Sequence, residues 1–222
     1  MSYSREERLA LCALLDKTGP DAPTLCGGWN TGDLAAHLVL RERRPDAVGG
    51  VLGGPLAGYT AWVQNRIKER TSFSDLVRTI RSGPPRLSVM SVPGVDERAN
   101  AVEFFVHHED IRRAVPDWAP REISGGESDM LWQRLRMARF MLRKAPVGVE
   151  LARDGTDVGE VREVRESGPA YRITARNATP AVTVIGSPAE LTMWVMGRTT
   201  ATKVRFDGIE AAVSKLTEAN WR

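Results

Sequence analysis

Glu103-Phe-Phe-Val-His107-His108-Glu109-Asp110 reads as a buried helix, and the rest of the chain can be arranged around it. Residues at i and i+4 share one helical face, so the Glu103 carboxylate and the His107 imidazole can point at one ion. The intervening Phe104, Phe105 and Val106 are apolar, which sets this helix deep among its neighbours. Asp110, three residues beyond His107, falls on nearly the same face, where it can accept the second ring N–H of the imidazole. His108 is turned away by about 100° and is expected at a surface or an interface.

The chain has three histidines, and the third, His37, stands in a second helical segment, Asp33-Leu-Ala-Ala-His37-Leu-Val-Leu. A carboxylate and two imidazoles with a coordination position left over make the donor set of a catalytic zinc or similar divalent site. Spacing alone leaves alternatives open. Glu and His at i, i+4 also occur as an ordinary exposed pair, and His37 also fits a core histidine bonded to a backbone carbonyl or to Asp33.

Helical spacing extends on both sides. Ser4 and Glu7 form a capping-box pattern that opens a helix carrying Leu9, Leu11, Leu14 and Leu15 and stopping at Gly19-Pro20. A loop with Pro23 and Gly27-Gly28 leads to Trp29, with Thr31 as the expected N-cap of the His37 helix and Pro45 as its stop. Further helices are expected over 56–70 and 74–82, broken by Gly83-Pro84-Pro85. The Glu103 helix follows Pro93-Gly94, with Asp96 as its cap and Pro116 as its stop. A last helix is expected over 127–144, with Leu131, Leu135, Ala138 and Leu142 at three- and four-residue spacing. Long helices with short connections predict an antiparallel four-helix bundle over residues 1–145.

Beyond Pro146 the pattern shortens. Runs at 147–151, 158–164, 170–174 and 181–185 are β-branched or alternating, and Asp154-Gly155 is a hairpin-type turn. Ser187-Pro188 caps a helix through Met196, and a short strand at 204–206 and a final helix follow. Residues 146–222 are therefore expected to form a small α+β domain, giving the fold class α plus α+β.

Of the 31 basic residues only Lys17, Lys68, Lys144, Lys203 and Lys215 are lysines, and the formal net charge is +3. Acidic residues interleave with basic ones throughout, so no stripe suited to a phosphate backbone exists and no nucleic-acid partner is implied. No apolar run approaches membrane-spanning length, so no membrane partner is implied either. Cys12 and Cys26 are too few for a disulfide framework. With no export signal they read as cytosolic thiols, which makes the expected location cytoplasmic. Cys26, in the loop before the His37 helix, is expected to be a buried and inert thiol rather than a ligand or nucleophile. Arg41 and Arg44 follow His37 by four and seven residues. An anion clamp and a solvated helix end are both open for Arg41, and the helix end is favoured for Arg44.

The segment Cys26-Gly-Gly-Trp29-Asn-Thr-Gly-Asp33-Leu-Ala-Ala-His37-Leu resembles the second-helix signature of the mycothiol-dependent maleylpyruvate isomerase family, within the wider group of DinB-like metal-binding bundles. Glu103-Phe-Phe-Val-His107-His-Glu-Asp110-Ile-Arg-Arg-Ala resembles the same family's Glu-x-x-x-His-x-x-Asp hallmark. The resemblance implies that His37, Glu103 and His107 bind a divalent metal, zinc being the expected ion. It also implies mycothiol as a cofactor. The stretch Gly186-Ser-Pro-Ala-Glu-Leu to Gly197-Arg198 is similar to the family's C-terminal domain, related to sterol-carrier folds, with Arg198 at a matching Gly-Arg position. Arg41 and Arg198 are thereby candidates for contact with substrate or cofactor, against a plain capping role for Arg198. The run His37-Leu-Val-Leu-Arg41-Glu-Arg-Arg44-Pro-Asp46 looks like a distinct metal-binding subgroup rather than the isomerase itself, so the metal carries over better than the substrate.

Two functions follow as expectations. One is a metal-dependent isomerase or S-transferase whose partners are a small thiol and a small electrophilic substrate. The other is a non-catalytic metal-binding or small-ligand-binding module. An open metal position beside a cleft distinguishes the first from the second.

Overall fold

The computed structural model describes residues 2–50, 54–85, 95–154 and 171–218. It combines helices with one four-stranded sheet and divides into two compact units, Met1–Trp118 and Ala119–Arg222.

The first unit is helical: α1 (Tyr3–Thr18), α2 (Thr31–Arg43), α3 (Ala57–Arg70), α4 (Phe73–Ser82) and α5 (Val95–Arg112). Leu11 and Leu15 of α1, Leu34 and Leu38 of α2, Leu76 and Ile80 of α4, and Phe104 and Ile111 of α5 share one apolar core. Burying each such side chain stabilises the fold by about 1.5–3 kcal/mol before entropy is counted.

A buried cation ties the same four helices together. Arg8 of α1 pairs with Glu42 of α2, donates to the Ile80 carbonyl of α4 at 2.9 Å, and lies 4.4 Å from the Phe104 ring centroid of α5. His108 is buried rather than at the surface. Its rotation away from His107 faces it toward α1, where Nδ1 lies 3.0 Å from Glu7 Oε2.

Helix starts differ from the expected ones by a residue or two. The α1 helix begins at Tyr3 after Ser2, so Ser4 and Glu7 lie inside it and Glu7 serves His108 instead of a cap. In α2 the N-cap is Asn30, in a reciprocal capping box with Asp33, and Thr31 is the first helical residue, its hydroxyl donating to the Gly19 carbonyl. Asp96 sits in the first turn of α5 rather than before it. Pro93-Gly94, the expected run 158–164 and Gly155 lie outside the described residues.

The second unit begins earlier than the sequence pattern suggests, at Ala119 rather than Pro146. The expected helix over 127–144 is α6 (Gly125–Arg134), a 3-10 turn at Leu135–Met137 and α7 (Ala138–Met141). Trp132, Leu135, Leu142 and Ala145 pack in one core with Val149, Leu151, Val184, Leu191 and Trp194. The apolar spacing fixes a helix there but does not reveal which unit it covers. The strands β1 (Gly148–Arg153), β2 (Arg172–Arg176), β3 (Ala181–Gly186) and β4 (Arg205–Asp207) stand in the order β2-β1-β3-β4. The β1/β3 pair is parallel and the other two pairs are antiparallel. Two helices complete the unit, α8 (Pro188–Val195), capped by Ser187, and α9 (Glu210–Glu218). Among the described residues no helix is long and apolar enough to cross a membrane.

Cys12 lies fully buried in the helical core, and that burial, only partly offset by Arg81 and Arg8, pushes its thiol up to about 11. Only the thiolate reacts with alkylating agents. Alkylation of the native protein at pH 8 should therefore spare Cys12 and modify it only after denaturation, as read by peptide mass mapping. Equal native and denatured rates at Cys12 would contradict this packing.

Candidate metal centre

The centre is assembled from α2, α5 and the loop between α1 and α2. His37 occupies the middle of α2, and Glu103 and His107 occupy successive turns of α5. One carboxylate oxygen, Glu103 Oε1, lies 3.5 Å from His37 Nε2, 3.2 Å from His107 Nε2 and 3.3 Å from Arg41 Nε. One ligand atom from each of His37, Glu103 and His107 can be chosen so that all lie within 4.8 Å of one another. The two imidazole centroids are 5.4 Å apart and nearly perpendicular, so their ring nitrogens converge without stacking. Asp33 is engaged with Asn30 and Lys68, so it does not orient His37.

Asp110 is fully buried, and its Oδ2 lies 3.0 Å from His107 Nδ1, the ring nitrogen turned away from Glu103. A carboxylate there fixes the ring's orientation and leaves Nε2 facing Glu103. The Cys26 thiol also donates to Asp110 Oδ2 at 3.0 Å and lies 3.8 Å from His107 Nδ1. Cys26, His107 and Asp110 thus form a second group with the geometry of metal ligands. Cys26 is half-buried and joined to the site, whereas spacing alone reads it as an inert core thiol. The loop is held in place by the Leu25 N–H, which donates to the Asp110 carbonyl, and by a turn in which the Trp29 N–H donates to the Cys26 carbonyl. Gly28 adopts φ 80° in that turn, which a side chain would disfavour. The turn delivers Trp29, whose ring centroid lies 5.1 Å from that of His37.

Arg41 does not reach outward as a clamp. Its guanidinium pairs with Glu103 and donates to Asn100 Oδ1 one turn before Glu103. Arg44 forms a surface pair with Asp46 at 2.7 Å, as a helix-end residue would. Arg198 lies in the second unit, where it donates to the Met196 carbonyl at 2.6 Å at the end of α8.

A cavity of about 190 Å³ adjoins His37, lined by Trp29, Gly50 and the α3 residues Ala57, Thr60, Ala61, Gln64 and Asn65. Those five α3 positions follow the i, i+3, i+4, i+7, i+8 spacing of one helical face. That spacing is present in the sequence but easily missed, because its residues are small or neutral and carry no chemical signature.

Charges and burial oppose one another at the centre. Burial by itself would raise the Glu103 carboxyl, but hydrogen bonds from His107 and His37 and the charges of His107 and Arg41 hold it well below the usual carboxylate range. Burial by itself would favour a neutral His107. Hydrogen bonding with Asp110, Cys26 and Glu103 instead holds its ring well above the usual histidine range.

Residues 3–48 match the family described as the mycothiol maleylpyruvate isomerase N-terminal domain. The match spans α1, the Cys26–Trp29 turn and α2 with His37 and Arg41, and it supports the resemblance seen in those residues. Glu103, His107 and Asp110 lie beyond it. No curated protein and no solved structure matches the chain.

In the metal-free protein the raised His107 pKa has a definite sign. Its stabilisation is fully present below the ordinary histidine pKa of about 6.5 and is lost as pH rises through the higher folded value. The ¹⁵N shifts of the His107 ring should therefore report a doubly protonated imidazolium at pH 7, and Glu103→Gln should bring the titration down toward the ordinary range. A neutral ring at pH 7 in the metal-free wild type would contradict the arrangement.

Proposed function

We propose that the protein is a metal-dependent enzyme that uses a small thiol, mycothiol being the expected one, in an isomerase or S-transferase reaction on a small electrophile. The observation that carries this reading is the convergence of His37, Glu103 and His107 beside a cavity. Two imidazoles and one carboxylate suit a divalent ion such as zinc and leave a position for an exogenous ligand. Bound there, the metal would lower the pKa of a thiol and so supply a nucleophile at neutral pH.

The chain's own residues have separate tasks in this reading. His37, Glu103 and His107 hold the ion, and His107 gives up its Nε2 proton on binding while retaining the one on Nδ1. Asp110 holds that remaining proton and with it the ring's orientation. Arg41 offsets the negative charge of Glu103 and, through Asn100, fixes the carboxylate against α5. Trp29 shields one side of His37 from water. Arg198, which donates to the Met196 carbonyl, is kept as a candidate for contact with the cofactor beside its capping role.

The family match supports the same chemical class, and further assignments go with it. The first unit reads as a DinB-like antiparallel bundle, supported by the common core of α1, α2, α4 and α5. The second reads as a sterol-carrier-like α+β domain, supported by its small mixed sheet with covering helices.

Elemental analysis should find about one divalent metal per chain, lost when His37→Ala and His107→Ala are combined. Unchanged occupancy in that double variant would refute the ligand set. Zinc-loaded protein should consume mycothiol in the presence of small electrophiles, and Glu103→Ala should abolish this. Metal binding without turnover of any thiol would favour the non-catalytic module. Asp110→Asn should keep the metal with affinity weakened about 10–100-fold. An unaltered affinity would remove Asp110 from the support of His107.

A further inference from the structure

The loop between α1 and α2 is fastened to α5 at one residue by two bonds. The Leu25 N–H donates to the Asp110 carbonyl at 3.0 Å, and the Cys26 thiol donates to Asp110 Oδ2 at 3.0 Å. Inside the loop, Thr24 Oγ1 accepts from the Cys26 N–H at 3.2 Å and donates to the Trp29 carbonyl at 2.8 Å. The Trp29 N–H in turn donates to the Cys26 carbonyl at 2.8 Å. Cys26 and Trp29 are therefore held as one piece. One end of that piece lies beside His37 and the other beside the Asp110–His107 pair, so the loop meets both imidazoles of the centre.

The arrangement also states which form the sulfur takes. Asp110 is fully buried, and a carboxylate so placed needs donors in exchange for the water it has lost. His107 Nδ1 lies 3.0 Å from Oδ2, and the Cys26 thiol donates to the same oxygen. A thiol is a weak donor, and an ionised acceptor strengthens the bond it makes. That bond exists only while the sulfur keeps its proton. A thiolate would set a second anion 3.0 Å from the carboxylate. An ion held by Cys26, His107 and Asp110 would require Sγ and Nδ1 both to give up their protons, and would dissolve both bonds to Oδ2. Donation by Cys26 leaves those bonds intact and leaves Nε2 of His107 facing Glu103.

We propose that Cys26 is a positioning residue of the metal centre. Its S–H, donated to Asp110, holds that carboxylate on His107 Nδ1 and fixes the Trp29 loop against α5, and the sulfur neither ligates the ion nor attacks the substrate. The effect on metal binding rests on the ligand set proposed above; the bond itself is tested without metal.

The first arm is infrared spectroscopy of the S–H stretch in the metal-free, full-length protein. The chain has two cysteines, so subtracting the Cys26→Ser spectrum from the wild-type one isolates the Cys26 band. It should lie below the Cys12 band, whose sulfur has only the Val77 carbonyl at 3.8 Å as acceptor, and Asp110→Asn should move it upward. No Cys26 S–H band, or one unmoved by Asp110→Asn, overturns the proposal. The second arm is zinc affinity by competition with a chelator. Cys26→Val, which fills the space without a donor, should weaken zinc binding about fivefold or more, and Cys26→Ser, which restores a donor, should stay within about twofold of wild type. Unchanged affinity in a folded Cys26→Val protein, or equal losses in the two variants, overturns the positioning role. No zinc binding by the wild type would overturn the ligand set and this role together, whereas a failed infrared arm with zinc binding intact overturns the role alone.

Discussion

A single carboxylate oxygen organises the helical unit's polar interior. Glu103 Oε1 is approached by His37, His107 and Arg41, each within 3.5 Å. A largely shielded anion is tolerated only where its lost hydration is replaced, and for the half-buried Glu103 two imidazoles and a guanidinium replace it. The same three groups make the oxygen a point where α2 and α5 must meet at fixed depth. A divalent ion would satisfy this need more fully, which is the physical link between the fold's stability and the proposed chemistry. Asp110 and Cys26 complete the arrangement from the far side of the His107 ring.

Around that centre the unit spends much of its polar inventory on holding helices in register. Arg8 joins α1 to α2, α4 and α5, and the His108–Glu7 contact joins α1 to α5 a second time. Both lie beside the apolar core rather than at the surface, so removing one partner would strand a charge away from water. Such contacts fix the relative positions of His37 and Glu103 more tightly than apolar packing alone, since hydrogen bonds are directional and methyl contacts are not.

Much of this was legible in the sequence because it obeys local periodicity. Glu103, His107 and Asp110 share a helical face by spacing, and the helical spans of α2, α3, α4 and α5 follow from apolar repeats and from proline and glycine breaks. What escaped was set by long-range packing. The helix at Gly125–Arg134 announces itself, but its attachment to the sheet core depends on Trp132 meeting residues sixty positions onward. Helical rotation alone turns His108 away from the site, and only the packing of α1 against α5 supplies its partner, Glu7. Cys26 reads as inert from its loop because nothing in a loop's sequence reveals an aspartate 84 residues away. The cavity against α3 is a void left by Ala57, Thr60 and Ala61, and a void has no residue type of its own.

The central claim is that His37, Glu103 and His107 form one coordination sphere, and crystallography of zinc-soaked protein at the zinc edge tests it most directly. The account predicts one anomalous peak per chain, about 2.0–2.2 Å from His37 Nε2, His107 Nε2 and a Glu103 carboxylate oxygen, with Asp110 still bonded to His107 Nδ1. A peak bound by Cys26 Sγ and Asp110 in place of His37 and Glu103, or no peak in the helical unit at all, would contradict it.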